Sequence, residues 1–188
     1  MDVNEQLSRM NIPEKEIVDL LRISKVRTIE SGALYISEGQ TPQRFAIVLT
    51  GLFRYYYIDD KGNDFTKSFI RDNSVLISYS AMVNKTPAYF YIEALEDGII
   101  LDINYRNMLG LQEDNRFWDK FLISSLEKGY YAKEKREREL LLLDAETRYK
   151  IFVTEFPDLV KKVKLQMIAS YLGIKPESLS RIRKKISV

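Results

Sequence analysis

The 188-residue chain contains no cysteine and no histidine. The first absence removes thiol nucleophiles, disulfides and cysteine-held iron–sulfur clusters. The second removes Ser-His and Cys-His catalysis and a histidine-ligated haem, and together they remove the usual zinc sites. A metal would have to be held by carboxylates alone, and no acidic run has calcium-loop spacing. No metal and no cofactor are expected. Nor is an enzyme: a cupin-type barrel, the enzymatic alternative, needs histidine ligands. Long apolar runs are also missing. Nothing approaches the roughly 18 consecutive apolar residues of a membrane span. The opening MDVNEQLSRMNIPEKE is polar and acidic, unlike a secretory signal. A cytoplasmic protein without a membrane partner is expected.

What is present is an ordinary globular composition, 45% hydrophobic and 30% charged, enough for one large domain or two small ones. The formal net charge of +2 hides an asymmetry. Residues 161–188 carry eight Lys or Arg against the single acid Glu177, for +7, and the remaining residues sum to −5. A basic block on a mildly acidic body fits a polyanion-binding end, and equally a solvated basic tail.

Along the chain, PEKEIVDLLRI (13–23) reads as a short helix with Ile17, Leu20 and Leu21 on one face. From Val26 to Ile103 short apolar runs alternate with turn residues: VRTI, ALYIS, RFAIVLT, LFRYYYI, FTKSFI, AYFYIEAL and GIILDI. Many short strands at this spacing mean an all-β sandwich or barrel, and DDKG (59–62) marks a tight turn. After Asn104 the pattern becomes helical. NYRNML makes a short capped helix, and residues 113–140, with no proline and one glycine, make a long one. Asp144 can cap a further helix that Pro157 ends.

The C-terminal stretch carries the most specific signal. In KLQMIASYL, Leu165, Ile168, Ala169 and Leu172 share one helical face, and Ala169 is small enough for a second helix to cross closely. Gly173 can take positive φ and break the helix, Ile174 plugs the turn, and Pro176 suits the start of the next helix. There Leu179, Ile182 and Ile186 face inward while Glu177, Ser178, Arg181, Lys184 and Lys185 face out. This is helix–turn–helix logic, with the second helix sized for a major groove. Glu177, Ser178 and Arg181 are the candidate base readers; Lys175, Arg183, Lys184 and Lys185 are candidate phosphate contacts. For Glu177 and Arg181 the competing reading is a surface i,i+4 ion pair.

A β-rich half, a long helix and a helix–turn–helix in that order resemble the Crp/Fnr family of bacterial transcription regulators. RFAIVLTGLFRYYYIDDKGND, with Gly51 and Gly62 at the family's glycine positions, YIEALEDGIILDI and LQMIASYLGIKPESLSRIRKKI carry the resemblance, which spans about residues 15–186. It is most similar to the short members found in Bacteroidetes. The resemblance implies an α+β chain: a cyclic-nucleotide-binding-like β-barrel (a jelly roll) over 1–112, a long dimerisation helix over 113–143, and a DNA-binding helix–turn–helix over 144–188. The expected partners are double-stranded DNA on a palindromic operator and a second copy of the chain. Trp118, Leu122, Ile123, Leu126 and Tyr130 would form the dimer seam. RNA polymerase is an expected further contact, and the effector is left open. Glu177 and Arg181 match two of the family's base readers. Pro176 stands where a third reader, often Arg, is found. The family's β-hairpin wing after the recognition helix is expected to be missing or truncated.

The sensor region departs further. Members that bind cyclic AMP carry Gly-Glu-Leu before a loop and Arg-Ser-Ala after it. Here those positions become Ile77 and Ser78, then Ala88, Tyr89 and Phe90. A buried phosphate without its arginine would be a costly uncompensated charge. Cyclic AMP is therefore not expected to bind as in the family. Ser78, Tyr79, Ala88, Tyr89 and Phe90 could instead line a pocket for an uncharged or aromatic ligand, or the rings could simply fill the old cavity. A sensor or scaffold with a vestigial DNA head is the alternative to a regulator.

Overall fold

Alternating apolar runs become two stacked antiparallel sheets in the computed structural model, which describes residues 2–186 apart from the Asp114 side chain. The strands are β1 (Ser24–Ile29), β2 (Leu34–Ile36), β3 (Arg44–Thr50), β4 (Phe53–Ile58), β5 (Asp64–Ile70), β6 (Val75–Leu76), β7 (Tyr91–Ala94) and β8 (Gly98–Asn104). One sheet has the order β1-β8-β3-β6, the other β2-β7-β4-β5. Period-2 alternation sorts the side chains. On β3, Ala46 and Val48 join Phe53, Tyr55, Ile92, Ala94 and Ile100 between the sheets. Phe45, Ile47 and Leu49 point the other way, with Leu101 and Ile103, into a second apolar layer. A strand covered on both faces reads as a continuous apolar run, and RFAIVLT does. Gly51, between β3 and β4, has φ +122°, and a Cβ there would lie 3.0 Å from the Gly98 Cα. The turn therefore needs glycine on both conformational and steric grounds.

Helices cover the second layer: α1 (Val3–Arg9), α2 (Glu14–Arg22), α4 (Tyr105–Asp114) and the start of α5 (Arg116–Leu142), while the short α3 (Tyr79–Asn84) follows β6. The Asn104 side chain accepts from the Arg106 amide and caps α4 as expected. Four elements go beyond the expected pattern: α1, β6, α3 and α7 (Leu159–Lys162). The remaining helices are α6 (Ala145–Glu155), α8 (Leu165–Tyr171) and α9 (Pro176–Ile186). Asp144 caps α6 by accepting from the Thr147 amide.

The chain forms two compact units. One contains residues 1–57 and 68–125, the other residues 58–67 and 126–188. The long helix α5 has residues in both units, and the β4–β5 hairpin tip falls in the unit of the C-terminal helices. No described helix is long and apolar enough to cross a membrane.

Candidate nucleic-acid interface and barrel interior

The head is built from α8 and α9. Ile168, Ala169, Leu172 and Leu179 are buried, as their spacing requires. Gly173 follows the C-terminus of α8 at φ +66°, its N–H bonding Ser170 O at 3.1 Å, and the Ile174 N–H returns to Ala169 O at 3.0 Å. This ending satisfies the last carbonyls of α8 and turns the chain into α9. Pro176 opens α9. Ile182 is half-buried, but Ile186, expected to face inward, is 39% exposed at the last turn of α9.

The outer face of α9 keeps its polar groups in solvent. Glu177, Arg181 and Lys184 are exposed, Ser178 and Arg183 are half-buried, and Lys175 is exposed just before the helix. Arg181 donates to Ser178 Oγ at 3.4 Å, and among the described residues no ion pair joins it to Glu177. Lys185 is committed elsewhere: its Nζ lies 2.6 Å from Glu146 Oε2 of α6, and Glu146 also holds Lys150 at 2.8 Å. The two lysines, Lys150 foremost, hold the Glu146 carboxyl below its ordinary range, and Glu146 raises the Lys185 ammonium.

Two arginines fix the end of α8. Arg136 of α5 donates to Tyr171 O at 2.8 Å and lies over the Tyr171 ring, and Arg148 of α6 donates to Leu172 O at 3.1 Å. Neither was foreseen. Their partners are backbone carbonyls, which leave no residue signature.

On α5, Leu122 and Leu126 are half-buried, while Ile123 (55%) and Tyr130 (63%) are exposed. Trp118 corrects the expected seam. It is fully buried in its own chain's second apolar layer, edge-on to Phe117 and Phe121, and offers nothing to a second copy.

The barrel interior is filled with rings. Tyr55 stacks on Phe90 with centroids 5.3 Å apart, and Tyr57 meets Phe90 edge-on. The Tyr55 hydroxyl accepts from the Ile77 N–H at 2.8 Å. Burial pushes its ionisation well above the ordinary tyrosine range. Ala88 and Phe90 belong to this interior cluster, and Ser78 is buried with its hydroxyl unpaired. Two residues of the candidate pocket lie elsewhere. Tyr89 is 71% exposed, and Tyr79 packs in the second layer on the far side of the β1-β8-β3-β6 sheet. Between the sheets Asp102 is buried and accepts from Arg44 Nε at 2.7 Å, Arg27 at 3.1 Å and the Tyr35 hydroxyl at 3.0 Å. Among the described residues no acidic cluster could hold a metal ion.

Residues 26–115, the sandwich with α4, match the cyclic nucleotide-binding domain family. The sequence has no significant match among curated proteins. Several solved structures share the fold across nearly the whole chain. The c-di-GMP-responsive global regulator CLP of Xanthomonas campestris aligns at 16% identity over 91% of this chain and 90% of its own, with a TM-score of 0.75. FixK2 of Bradyrhizobium japonicum aligns at 16% over 88% and 85%, also at 0.75. A CRP/FNR-family transcriptional regulator from Thermus thermophilus aligns at 16% over 87% and 86%, at 0.72.

Proposed function

We propose that the chain is a DNA-binding transcriptional regulator of the Crp/Fnr type with a degenerate sensor domain. It acts as a homodimer on a palindromic operator and is not controlled by cyclic AMP. The head carries this reading: α8 and α9 lock together through Ile168, Ala169, Leu172 and Leu179, and present Glu177 and Arg181 to solvent on the first turns of α9. That is how a recognition helix offers its N-terminal side chains to base edges. The fold shared with solved regulators supports it. In this reading Glu177, Ser178 and Arg181 read bases, and Lys175, Arg183 and Lys184 neutralise phosphates. Lys185 joins them only on leaving Glu146. Leu122, Ile123, Leu126 and Tyr130 form the seam along α5, without Trp118.

Against cyclic AMP stands the Tyr55–Phe90 stack, which occupies the interior with apolar rings and supplies no cation for a phosphate. Selection from random duplexes tests the regulator reading. It should yield a two-fold-symmetric sequence with half-sites about 34 Å apart. No enriched palindrome at low salt would leave the alternative, a sensor or scaffold with a vestigial head. On the selected duplex, Arg181→Ala should cost about 1–3 kcal/mol and relax preference at one base pair, whereas Lys184→Ala should weaken all sequences alike. Calorimetry should show no heat of binding with cyclic AMP.

A further inference from the structure

In the sheet order β2-β7-β4-β5, strand β5 is an edge. An edge strand leaves backbone N–H and C=O groups facing outward, and these need partners. At the β4–β5 tip they find them on the helices of their own unit. The Thr66 N–H donates to Ser170 Oγ at 2.8 Å, Ser170 Oγ donates to Asp64 O at 3.2 Å, and Arg136 Nη2 donates to Thr66 O at 3.3 Å. Ser170 thus supplies one acceptor and one donor, as a neighbouring strand would. The same Arg136 holds Tyr171 O, so hairpin, α5 and α8 share one knot. The tip is stiff. Asp59 accepts from the Asn63 side-chain amide at 2.9 Å and from the Asn63 and Lys61 backbone amides at 2.8 and 2.9 Å; these bonds, the Asn63 side chain foremost, keep its carboxyl below the ordinary range.

We propose that Ser170 is a positioning residue for operator recognition: its hydroxyl joins the edge of β5 to the first helix of the head and so fixes α8, and α9 with it, against α5. This rests on the DNA-binding reading above. Two heads on one operator must hold a set spacing, so a head loose on α5 loses the symmetric site. Binding of a single head to any duplex depends on its charges and is indifferent to the joint.

The test compares full-length wild type, Ser170→Ala and Ser170→Thr on two duplexes, the selected operator and a scrambled sequence of equal length. Amide hydrogen exchange at Thr66 is followed in parallel. Ser170→Ala should weaken operator binding about fivefold, leave scrambled binding unchanged and speed Thr66 exchange about fivefold or more. Ser170→Thr, which keeps the hydroxyl, should restore both. Unchanged or tighter operator binding in Ser170→Ala, or an equal loss on both duplexes, overturns the joint. A wild type that selects no operator removes the DNA-binding reading and this proposal with it. That result is distinct from a wild type that selects one and a Ser170→Ala that binds it equally well.

Discussion

The two units differ in where their buried polar side chains go and in which cations they leave exposed. In the barrel unit they are committed to each other. Asp102 takes Arg27, Arg44 and Tyr35, the Tyr55 hydroxyl goes to Ile77, and buried Arg54 lies over the Tyr56 ring, 4.0 Å from Glu93. In the head unit two arginines bond backbone carbonyls, while Lys164, Lys175, Arg181 and Lys184 stay in solvent. The first arrangement satisfies buried polar groups within the unit. The second leaves cations available to a polyanion. The contrast predicts that substitutions in the barrel's polar network change stability first, and substitutions of the head's exposed cations change binding first.

The sharpest way to break that contrast is Asp102→Ala. It removes the shared acceptor of three donors and strands the Tyr35 hydroxyl between the sheets. The half-exposed arginines can still reach water, so the expected cost is about 3–4 kcal/mol, near the lower end for a broken buried pair. Urea unfolding, followed by the fluorescence of the lone Trp118 in the same unit, reads it directly. A loss under about 1 kcal/mol would mean that the network contributes little. The network also has a pH signature. Burial, then the charge and hydrogen bond of Asp102, raises Tyr35; burial raises Tyr55. Unfolded phenols ionise near pH 10 and the folded ones well above it. This stability is therefore fully present below about pH 10 and is lost as pH rises from there toward the folded values. In Asp102→Ala the alkaline loss should shrink only by the part of the Tyr35 rise that the Asp102 charge and hydrogen bond supply, and keep the burial part and the Tyr55 share.

Phe90→Ala should cost slightly less, about 3 kcal/mol, by removing the ring stacked on Tyr55. It also tests whether the barrel is closed by those rings. An apolar void of that size takes up small aromatic molecules, so indole should raise the melting temperature of Phe90→Ala and leave wild type unmoved. Equal stabilisation of both proteins would reveal an interior already open to ligands.

How much of this was legible in the sequence follows the same division. The head was readable because its anchors stand at helical spacing and Gly173 and Pro176 punctuate the turn. Most strands were readable because turn residues bracket each apolar run. Residues 75–90 were not: β6 is two residues long and α3 six, too short for either period to register. Tyr79, Tyr89 and Trp118 look alike as aromatics, and only the packed chain decides that one lies in the second layer, one faces solvent and one is buried. The Ser170 joint was invisible for another reason. Its partners are the backbone groups of Asp64 and Thr66, which every residue type carries.

The smallest expected effect sharpens the head's side of the contrast. Among the described residues, Lys185 is the proposed phosphate contact whose charge is already engaged, by Glu146. The pair is solvent-accessible, so breaking it should leave stability nearly unchanged. For DNA the consequence is larger than for folding. In Glu146→Gln the Lys185 ammonium no longer has to leave a carboxylate to meet a phosphate, and one negative charge beside α9 is gone. Binding to a scrambled duplex should tighten by a factor of about 2–5, and the dependence of log affinity on log salt should steepen by up to about one unit, the release of one further counterion. Lys150→Gln supplies the control. It frees Glu146 from its other lysine but leaves the Lys185 pair in place, so it should not tighten binding. If Glu146→Gln leaves both affinity and salt slope unchanged, Lys185 belongs to the packing of α9 on α6, and the phosphate grip reduces to Lys175, Arg183 and Lys184.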